Sequence, residues 1–249
     1  MKTLAAQKFY DLLSEDYDAM INFDSSLEKR IELLRNYLLP GDVSAADLGC
    51  GSGLDSISLT KLGLNVTGFD ISEKMIQKAA ANSAKHNAVI KYFSLAINKI
   101  PNQFHNKFSV AVSLGNSLAN INKPQLKKSF QKIYKMLGGE GRLILQILNY
   151  DKILLLKERI VNITENGDYY FVRFYDFESR ELIFNILKFS KTESKNRMLN
   201  SSIIYPYKKK EIIELLKECG FGKIKVYGGL DKSKYDRKLS ADLVIEAGK

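Results

Sequence analysis

The chain has 249 residues, 45% of them hydrophobic, with two cysteines, two histidines and a formal net charge of +10 at pH 7. That length suits one domain, or one domain carrying an insertion, and the apolar content is enough for a full core. Two cysteines exclude a disulfide framework, and no apolar run approaches the roughly 18 residues of a membrane span.

The apolar segment within Met1 to Lys8 is too short for a secretory leader, so a cytoplasmic location is expected. His86 and His105 have no Cys/His cluster near them in sequence, and no metal is expected. Lysines are spread along the chain, with small clusters at Lys127-Lys128 and Lys208-Lys209-Lys210. No Arg/aromatic-rich module stands out, so the basic balance reads as a solvated surface, with nucleic acid the less favoured partner.

In chain order, residues 7 to 22 read as a helical segment carrying two Tyr-Asp pairs, Tyr10-Asp11 and Tyr17-Asp18. Asp24 or Ser25 can cap a helix through Leu27, Ile31, Leu34 and Leu38, which Pro40-Gly41 stops. Val43, Ala45, Ala46 and Leu48 then lead into Asp47-Leu48-Gly49-Cys50-Gly51-Ser52-Gly53, and a helical pattern follows through Leu54, Ile57 and Leu62. Strand, tight turn, helix is the arrangement in which glycines let the backbone approach a ligand and a helix N-terminus offers free N–H groups. Leu54 stands where the third glycine of a dinucleotide fingerprint would be, so the spacing is Asp-x-Gly-x-Gly-x-Gly. A second strand, Asn65 to Phe69, ends on Asp70, placed to accept hydrogen bonds from ribose hydroxyls.

Ser72 caps a helix from Glu73 to Lys85 with Met75, Ile76 and Ala79 inward, and a third strand runs from about Val89 to Leu95. The fourth strand, Phe108 to Leu114, delivers Gly115-Asn116-Ser117 at its C-terminal end, where open α/β sheets bind ligands. A helix from Lys123 or Pro124 to Leu137 is expected to end at Gly138-Gly139 with positive φ. The fifth strand, Gly141 to Leu148, reads as buried on both faces and leads to Asn149-Tyr150-Asp151. From 158 to 205 the pattern changes to four alternating segments, Ile160–Thr164, Tyr169–Phe177, Leu182–Ser190 and Met198–Tyr205. Turn signals at Asn166-Gly167-Asp168, Glu178-Ser179-Arg180 and Ser194-Lys195-Asn196 separate them, giving a small antiparallel sheet of three or four strands. An amphipathic helix, Lys209 to Cys219, and two strands, Lys223 to Tyr227 and Ala241 to Glu246, complete the chain.

The glycine loop with Asp47 and Asp70 resembles motif I and the acidic motif II of the class I S-adenosylmethionine-dependent methyltransferases, and the likeness runs from about Tyr10 to the C-terminus. The resemblance implies a Rossmann-like, seven-stranded, mostly parallel α/β sheet with helices on both faces. It implies a core of residues 1–157 and 206–249, with residues 158–205 inserted as an antiparallel lid and acceptor subdomain; a dimer-forming sheet is the alternative, and a homo-oligomer is one outcome. The cofactor would be S-adenosyl-L-methionine, leaving as S-adenosyl-L-homocysteine. Gly49, Cys50, Gly51 and Gly53 would line its methionine and ribose part, with Asp47 near its amino group and Asp70 on its ribose. Ile71, Met75 and the Ile97 backbone would meet adenine, Ala96 standing where relatives often carry an acid. Leu114, Gly115 and Asn116 would face the methyl group, and Tyr10 and Tyr17 would close over it.

The Leu-Gly-Asn-Ser run at residues 114–117 and Asn149-Tyr150-Asp151 are similar to segments of the glycine and glycine/sarcosine N-methyltransferases. There an arginine that holds a carboxylate substrate stands at the position of Leu148, and leucine cannot make that contact. Arg159 or Arg173 could replace it only if the fold brings one round. Asn116, Asn149, Tyr150 and Tyr17 are the expected acceptor-positioning residues. With no His or Glu base near the fourth-strand motif, a small-molecule amine is favoured over a hydroxyl as acceptor. The alternatives are an RNA or protein acceptor, and a non-catalytic protein that binds the cofactor.

Overall fold

A computed structural model describes residues 3–178, 181–193 and 197–249. The turn signals at Ser179-Arg180 and Ser194-Lys195-Asn196 lie outside the described residues. The chain begins with helices α1 (Ala6–Leu13), α2 (Tyr17–Ile21) and α3 (Phe23–Arg35). Strands and helices then alternate: β1 (Ser44–Leu48), α4 (Leu54–Lys61), β2 (Asn65–Asp70), α5 (Glu73–Lys85), β3 (Lys91–Ser94), β4 (Phe108–Ser113), α6 (Lys123–Met136), β5 (Leu137–Leu148) and α7 (Tyr150–Leu156). Four strands follow, β6 (Ile160–Asn166), β7 (Tyr169–Phe177), β8 (Leu182–Ser190) and β9 (Arg197–Ile204). Helix α8 (Lys209–Glu218) and strands β10 (Gly222–Tyr227) and β11 (Asp242–Gly248) close the chain.

Seven strands form one sheet in the order β10-β11-β5-β4-β1-β2-β3. It is parallel throughout except for β11, which runs antiparallel to both β5 and β10. The order reverses direction between β1 and β4, so the connections leaving their C-terminal ends run to opposite sides and leave a crevice for a ligand. Period-2 alternation sorts the core onto the two faces. Ala46, Leu48, Ala111, Leu143, Leu145 and Ile245 pack under α6 and α8, whereas Ala45, Val110, Val112, Ile144 and Val244 pack against α3 and α4. The seven-stranded, mostly parallel sheet agrees with the expected architecture.

The second sheet is antiparallel, β6-β7-β8-β9. The Leu4 N–H donates to the Ser201 carbonyl at 2.8 Å, so the segment before α1 adds a bridge beside β9. The Lys188 ammonium on β8 binds both oxygens of Asp16, at 2.7 and 2.9 Å. Met75 joins Phe9, Leu13, Met20, Phe171 and Ile186 in a third cluster, at the junction of α1, α5 and the small sheet. Helices α1 and α2 are thus clamped between α5 and the antiparallel sheet.

Local details differ from expectation where tertiary hydrogen bonds replaced the anticipated ones. Residues 7–22 form two helices, and the Ser14 hydroxyl donates back to the Asp11 carbonyl where the first one ends. Helix α3 starts at Phe23, after Asn22 in the left-handed region at φ 51°, and neither Asp24 nor Ser25 is its cap. Gly138 and Gly139 do not take positive φ; α6 passes into β5 at Leu137, which is already extended. The last carbonyls of α6 are met instead by Asn106 and Lys107, whose N–H groups donate to Lys135 and Met136 at 2.9 Å, so no left-handed cap is needed. The third strand is shorter than expected, and Val89 before it is exposed. The apolar run at Ile153 to Leu156 belongs to α7, capped by Asn149.

The ion pair between Lys188 and Asp16 is partly solvated, so Lys188→Met should cost no more than about 1 kcal/mol in urea unfolding. It should nevertheless speed amide hydrogen exchange in α1 and α2, because it releases the clamp locally.

Candidate active site

The site is built on the turn between β1 and α4. Gly49, Gly51 and Gly53 have φ of 80°, 53° and 93°, values that a Cβ resists. The Gly49 and Cys50 N–H groups both donate to the Phe69 carbonyl, at 2.7 and 3.0 Å, which folds the loop back over β2. Asp70 fastens it from the other side. One carboxylate oxygen accepts the Gly51 N–H and the other the Ser72 N–H, each at 2.9 Å. Burial pushes its carboxyl above the usual carboxylate range, and the backbone N–H donors pull it back only in part.

A cavity of about 370 Å³ lies at this crevice, walled by Gly49, Gly51, Asp70, Ile71, Ile97, Gly115 and Ser117 and covered by Tyr10 and Tyr17. A second cavity, of about 210 Å³, adjoins it and shares Tyr10, Tyr17 and Gly115 with it. Its other walls include Asn116, Gln146, Leu148 and Asp242 from the main sheet region, and Arg173, Tyr175 and Phe184 from the antiparallel sheet. A larger hollow, about 820 Å³, opens at the opposite end of the main sheet beside Asp42, Arg142 and Lys223. None of the glycine loop reaches it, so the chemistry belongs at the C-terminal ends of the strands.

The two Tyr-Asp pairs divide their labour. Asp11 accepts from the Ser72 hydroxyl at 2.6 Å, and Asp18 from the Asn82 amide at 2.9 Å, so the acids pin the segment to α5 and its cap. The tyrosines face the cavities, 6.4 Å apart and edge to face. Burial pushes the Tyr10 hydroxyl up to about 12 and that of Tyr17 upward as well, so both are neutral phenols at physiological pH.

Several expected residues stand elsewhere. Gly53 does not wall the cavity: a Cβ there would lie 2.9 Å from the Tyr92 hydroxyl and 3.3 Å from the Ala79 Cα, so this glycine serves the packing of α4 on α5. Cys50 is buried beneath the loop against Gly68, and Leu114 is buried below the crevice floor. Met75 is fully buried and belongs to the core rather than to an adenine surface. Asp47 is buried, one oxygen accepting from the Ser56 hydroxyl at 2.6 Å and the other without a partner. Burial drives its carboxyl up, and the neighbouring Asp55 adds to the shift.

The acceptor set is rearranged more deeply. Asn149 donates its amide to the carbonyls of Asp236, Arg237 and Ser240, at 3.0 to 3.3 Å, and so holds the loop before β11. It walls neither cavity. Tyr150 is buried and lies behind Asn116, whose amide donates to its hydroxyl at 2.8 Å. Asn116 does wall the second cavity, but its carbonyl oxygen is committed to the Leu148 N–H at 3.0 Å. Of the four expected positioning residues, Tyr17 and Asn116 reach the cavity, whereas Tyr150 supports and Asn149 serves a loop.

Three residues went unread in the sequence. Gln146, on β5, accepts the Gly115 N–H at 3.3 Å and lies beside Asp242. Asp242 reaches the site because β11 pairs it with Leu148, and burial raises its carboxyl above the usual range. Asn120 donates to the Tyr10 hydroxyl at 3.2 Å and leaves its buried carbonyl oxygen without a partner. Nothing local marks the first two; Asn120 lies four residues past Asn116, within reach of the fourth-strand motif.

A methyltransferase domain model matches residues 45–141, from β1 into β5. The chain is 25% identical to the glycine/sarcosine N-methyltransferase of Halorhodospira halochloris over 236 residues, 89% of this chain and 82% of the relative. It is 25% identical to the glycine/sarcosine N-methyltransferase of Aphanothece halophytica, over 88% of this chain and 82% of the relative. These matches support a class I S-adenosylmethionine-dependent methyltransferase. The crystal structure of an S-adenosylmethionine-dependent methyltransferase from Clostridium acetobutylicum shares the fold of this methyltransferase, with a TM-score of 0.78 at 19% identity over 96% of this chain and 98% of that one.

The methyltransferase's residues fit the cofactor. Gly51 leaves open the space beneath Tyr17 that a Cβ would take, Gly49 permits the close approach of Ser117, Asp70 presents a carboxylate, and Asn120 brings an unpartnered carbonyl oxygen to the cavity wall. If Gly53 acts in packing, Gly53→Ala should lower unfolding stability by about 1–3 kcal/mol, from overpacking and a positive φ. A titration with S-adenosylhomocysteine should find the affinity of the folded protein changed far less.

Proposed function

We propose that this methyltransferase acts on the nitrogen of a small-molecule amine held in the second cavity. The observation that carries this reading is the cavity itself: about 210 Å³, sharing Tyr10, Tyr17 and Gly115 as walls with the cofactor crevice, and roofed by the antiparallel sheet. That size suits a small metabolite. The relatives' names, glycine/sarcosine N-methyltransferase, support nitrogen as the atom methylated.

In this reading Gly49, Gly51 and Asp70 hold the methionine and ribose part of S-adenosylmethionine, and Ile71 and Ile97 flank its adenine. Asn120 supplies an acceptor to its amino groups from the cavity wall, directly or through water. The cofactor brings a methyl group already activated by its sulfonium, so the protein's work is alignment and exclusion of water. Tyr10 and Tyr17 wall the junction, and Asn116, fixed by Tyr150 and the Leu148 N–H, sets the edge of the acceptor space. The antiparallel sheet and the N-terminal helices together form the cover.

An amine attacks only as the free base, and an ammonium must first lose a proton. Asp242 stands where it can take that proton on a carboxylate oxygen. Its raised pKa makes it a better base than an exposed aspartate, and Gln146 holds it beside Gly115.

Release of S-adenosylhomocysteine tests the reading: turnover is expected with a low-molecular-weight metabolite extract, and turnover with bulk RNA alone would overturn it. Asp70→Ala should weaken cofactor binding in a calorimetric titration by about ten-fold or more, the worth of charge-assisted hydrogen bonds. The contact needs the ionised carboxylate. Because burial raises the Asp70 pKa, cofactor affinity should begin to fall on acidification at a higher pH than an ordinary aspartate, near 3.9, would give. Asp242→Asn should lower kcat/KM by about ten-fold or more while cofactor affinity stays unchanged, which stopped-flow binding and steady-state rates would separate.

A further inference from the structure

Arg173 lies in the middle of β7, paired in register with Asn162 on β6 and Ile186 on β8, and its side chain walls the second cavity. It is the cationic side chain among that cavity's described walls. Its Nε donates to Asn162 Oδ1. Among the described residues no carboxylate pairs with it, although the neighbouring cations are matched: Arg159 with Asp176, Lys188 with Asp16. Among the described residues the two terminal nitrogens of the guanidinium have no side-chain hydrogen-bond partner, and Tyr17 and Tyr175 lie nearby.

A guanidinium partly withdrawn from water is costly unless an anion meets it. Burial lowers the Arg173 pKa from its ordinary value, yet arginine remains charged at physiological pH. A planar fork with one nitrogen fixed by Asn162 and two nitrogens free presents the geometry that binds a carboxylate, phosphate or sulfonate through two oxygens. Asp242 lies on a different wall of the same cavity, contributed by the main sheet. The cavity is therefore bipolar, with its cation on the antiparallel sheet and its anion near the cofactor crevice.

We infer that Arg173 anchors the methyl acceptor by an oxyanion group, so that the acceptor is a short amine carrying a carboxylate, phosphate or sulfonate at its far end. This rests on the reading that the second cavity holds the acceptor amine. The anchor sits on the covering sheet and the reacting nitrogen lies beside Gly115, so an acceptor that fills both ends spans from the cover to the core. Leu148 leaves the main sheet without a cation at this cavity, and a strand of the inserted sheet supplies it from across the space. An exposed Arg159 could not, because its guanidinium lies on the surface with Asp176.

The test uses S-adenosylmethionine with a labelled methyl group, the full-length protein and a low-molecular-weight metabolite extract. The labelled product is isolated, and tandem mass spectrometry reads which anionic group it carries. A product with an N-methyl group and a carboxylate, phosphate or sulfonate is expected. With that acceptor in hand, Arg173→Gln should raise KM by about ten-fold or more with kcat changed much less, and Arg173→Lys should fall between, having charge without the fork. S-adenosylhomocysteine affinity should match the wild type in both variants. A labelled amine with no anionic group would overturn the inference while sparing the proposed function, and it needs no variant to fold. An unchanged KM in Arg173→Gln would overturn it too. Labelling of no small molecule would sink the proposed function and this inference with it.

Discussion

The structure turns on the carboxylate of Asp70. Each of its oxygens accepts a backbone N–H, one from Gly51 in the glycine loop and one from Ser72 at the head of α5. A charge-assisted hydrogen bond of this kind contributes about 1.5–3 kcal/mol, and here the two sit on opposite sides of one crevice. Together they set the separation between the β1–α4 turn and the β2–α5 turn. Ser72 then passes the constraint on: its backbone is held by Asp70, and its hydroxyl caps α5 and binds Asp11 of the N-terminal cover. The floor, the side wall and the cover of the cofactor crevice are thus joined through adjacent polar groups.

The cover itself is a composite. Helices α1 and α2 rest on α5 through Asp11 and Asp18, on the antiparallel sheet through Lys188 and Leu4, and on a shared apolar cluster that includes Phe9, Met75 and Phe171. A ligand of the second cavity would touch both layers, since Tyr17 comes from α2 and Arg173 from β7. Opening one layer therefore strains the other. The few polar contacts between them are partly solvated and individually weak, which suits a cover that must admit and release small molecules.

Much of the cofactor half was legible because its parts are contiguous. Strand, glycine turn and helix follow one another over residues 44–61, and the acid closing the second strand is only 17 positions beyond Gly53. The glycines, however, are alike in sequence and unlike in place. Gly49 faces Ser117 and Gly51 the space beneath Tyr17, whereas Gly53 faces Ala79 and Tyr92, because the turn has already become the N-cap of a helix. Met75 was misplaced for a similar reason: helical periodicity says which face is inward, and it does not say whether inward means the core or the adenine. The four strands of the second sheet matched their alternation closely, since half-buried antiparallel strands carry the period-2 pattern in its plainest form.

The second cavity is a tertiary construction. Asn149 and Tyr150 adjoin the site in sequence, yet the start of α7 turns one toward the loop at 236–240 and the other behind Asn116. Asp242 and Arg173 carry no local motif. One arrives through the register of β11 against β5, the other through the register of β7 within a separate sheet. By itself the sequence determined the strand–turn–helix loop, the acid opposite it, the order of elements and the existence of an inserted sheet, all of which follow from local spacing and hydrophobic period. Only the tertiary structure decided which polar side chains share the second cavity, because strand register and side-chain direction, not proximity along the chain, choose the atoms that meet there.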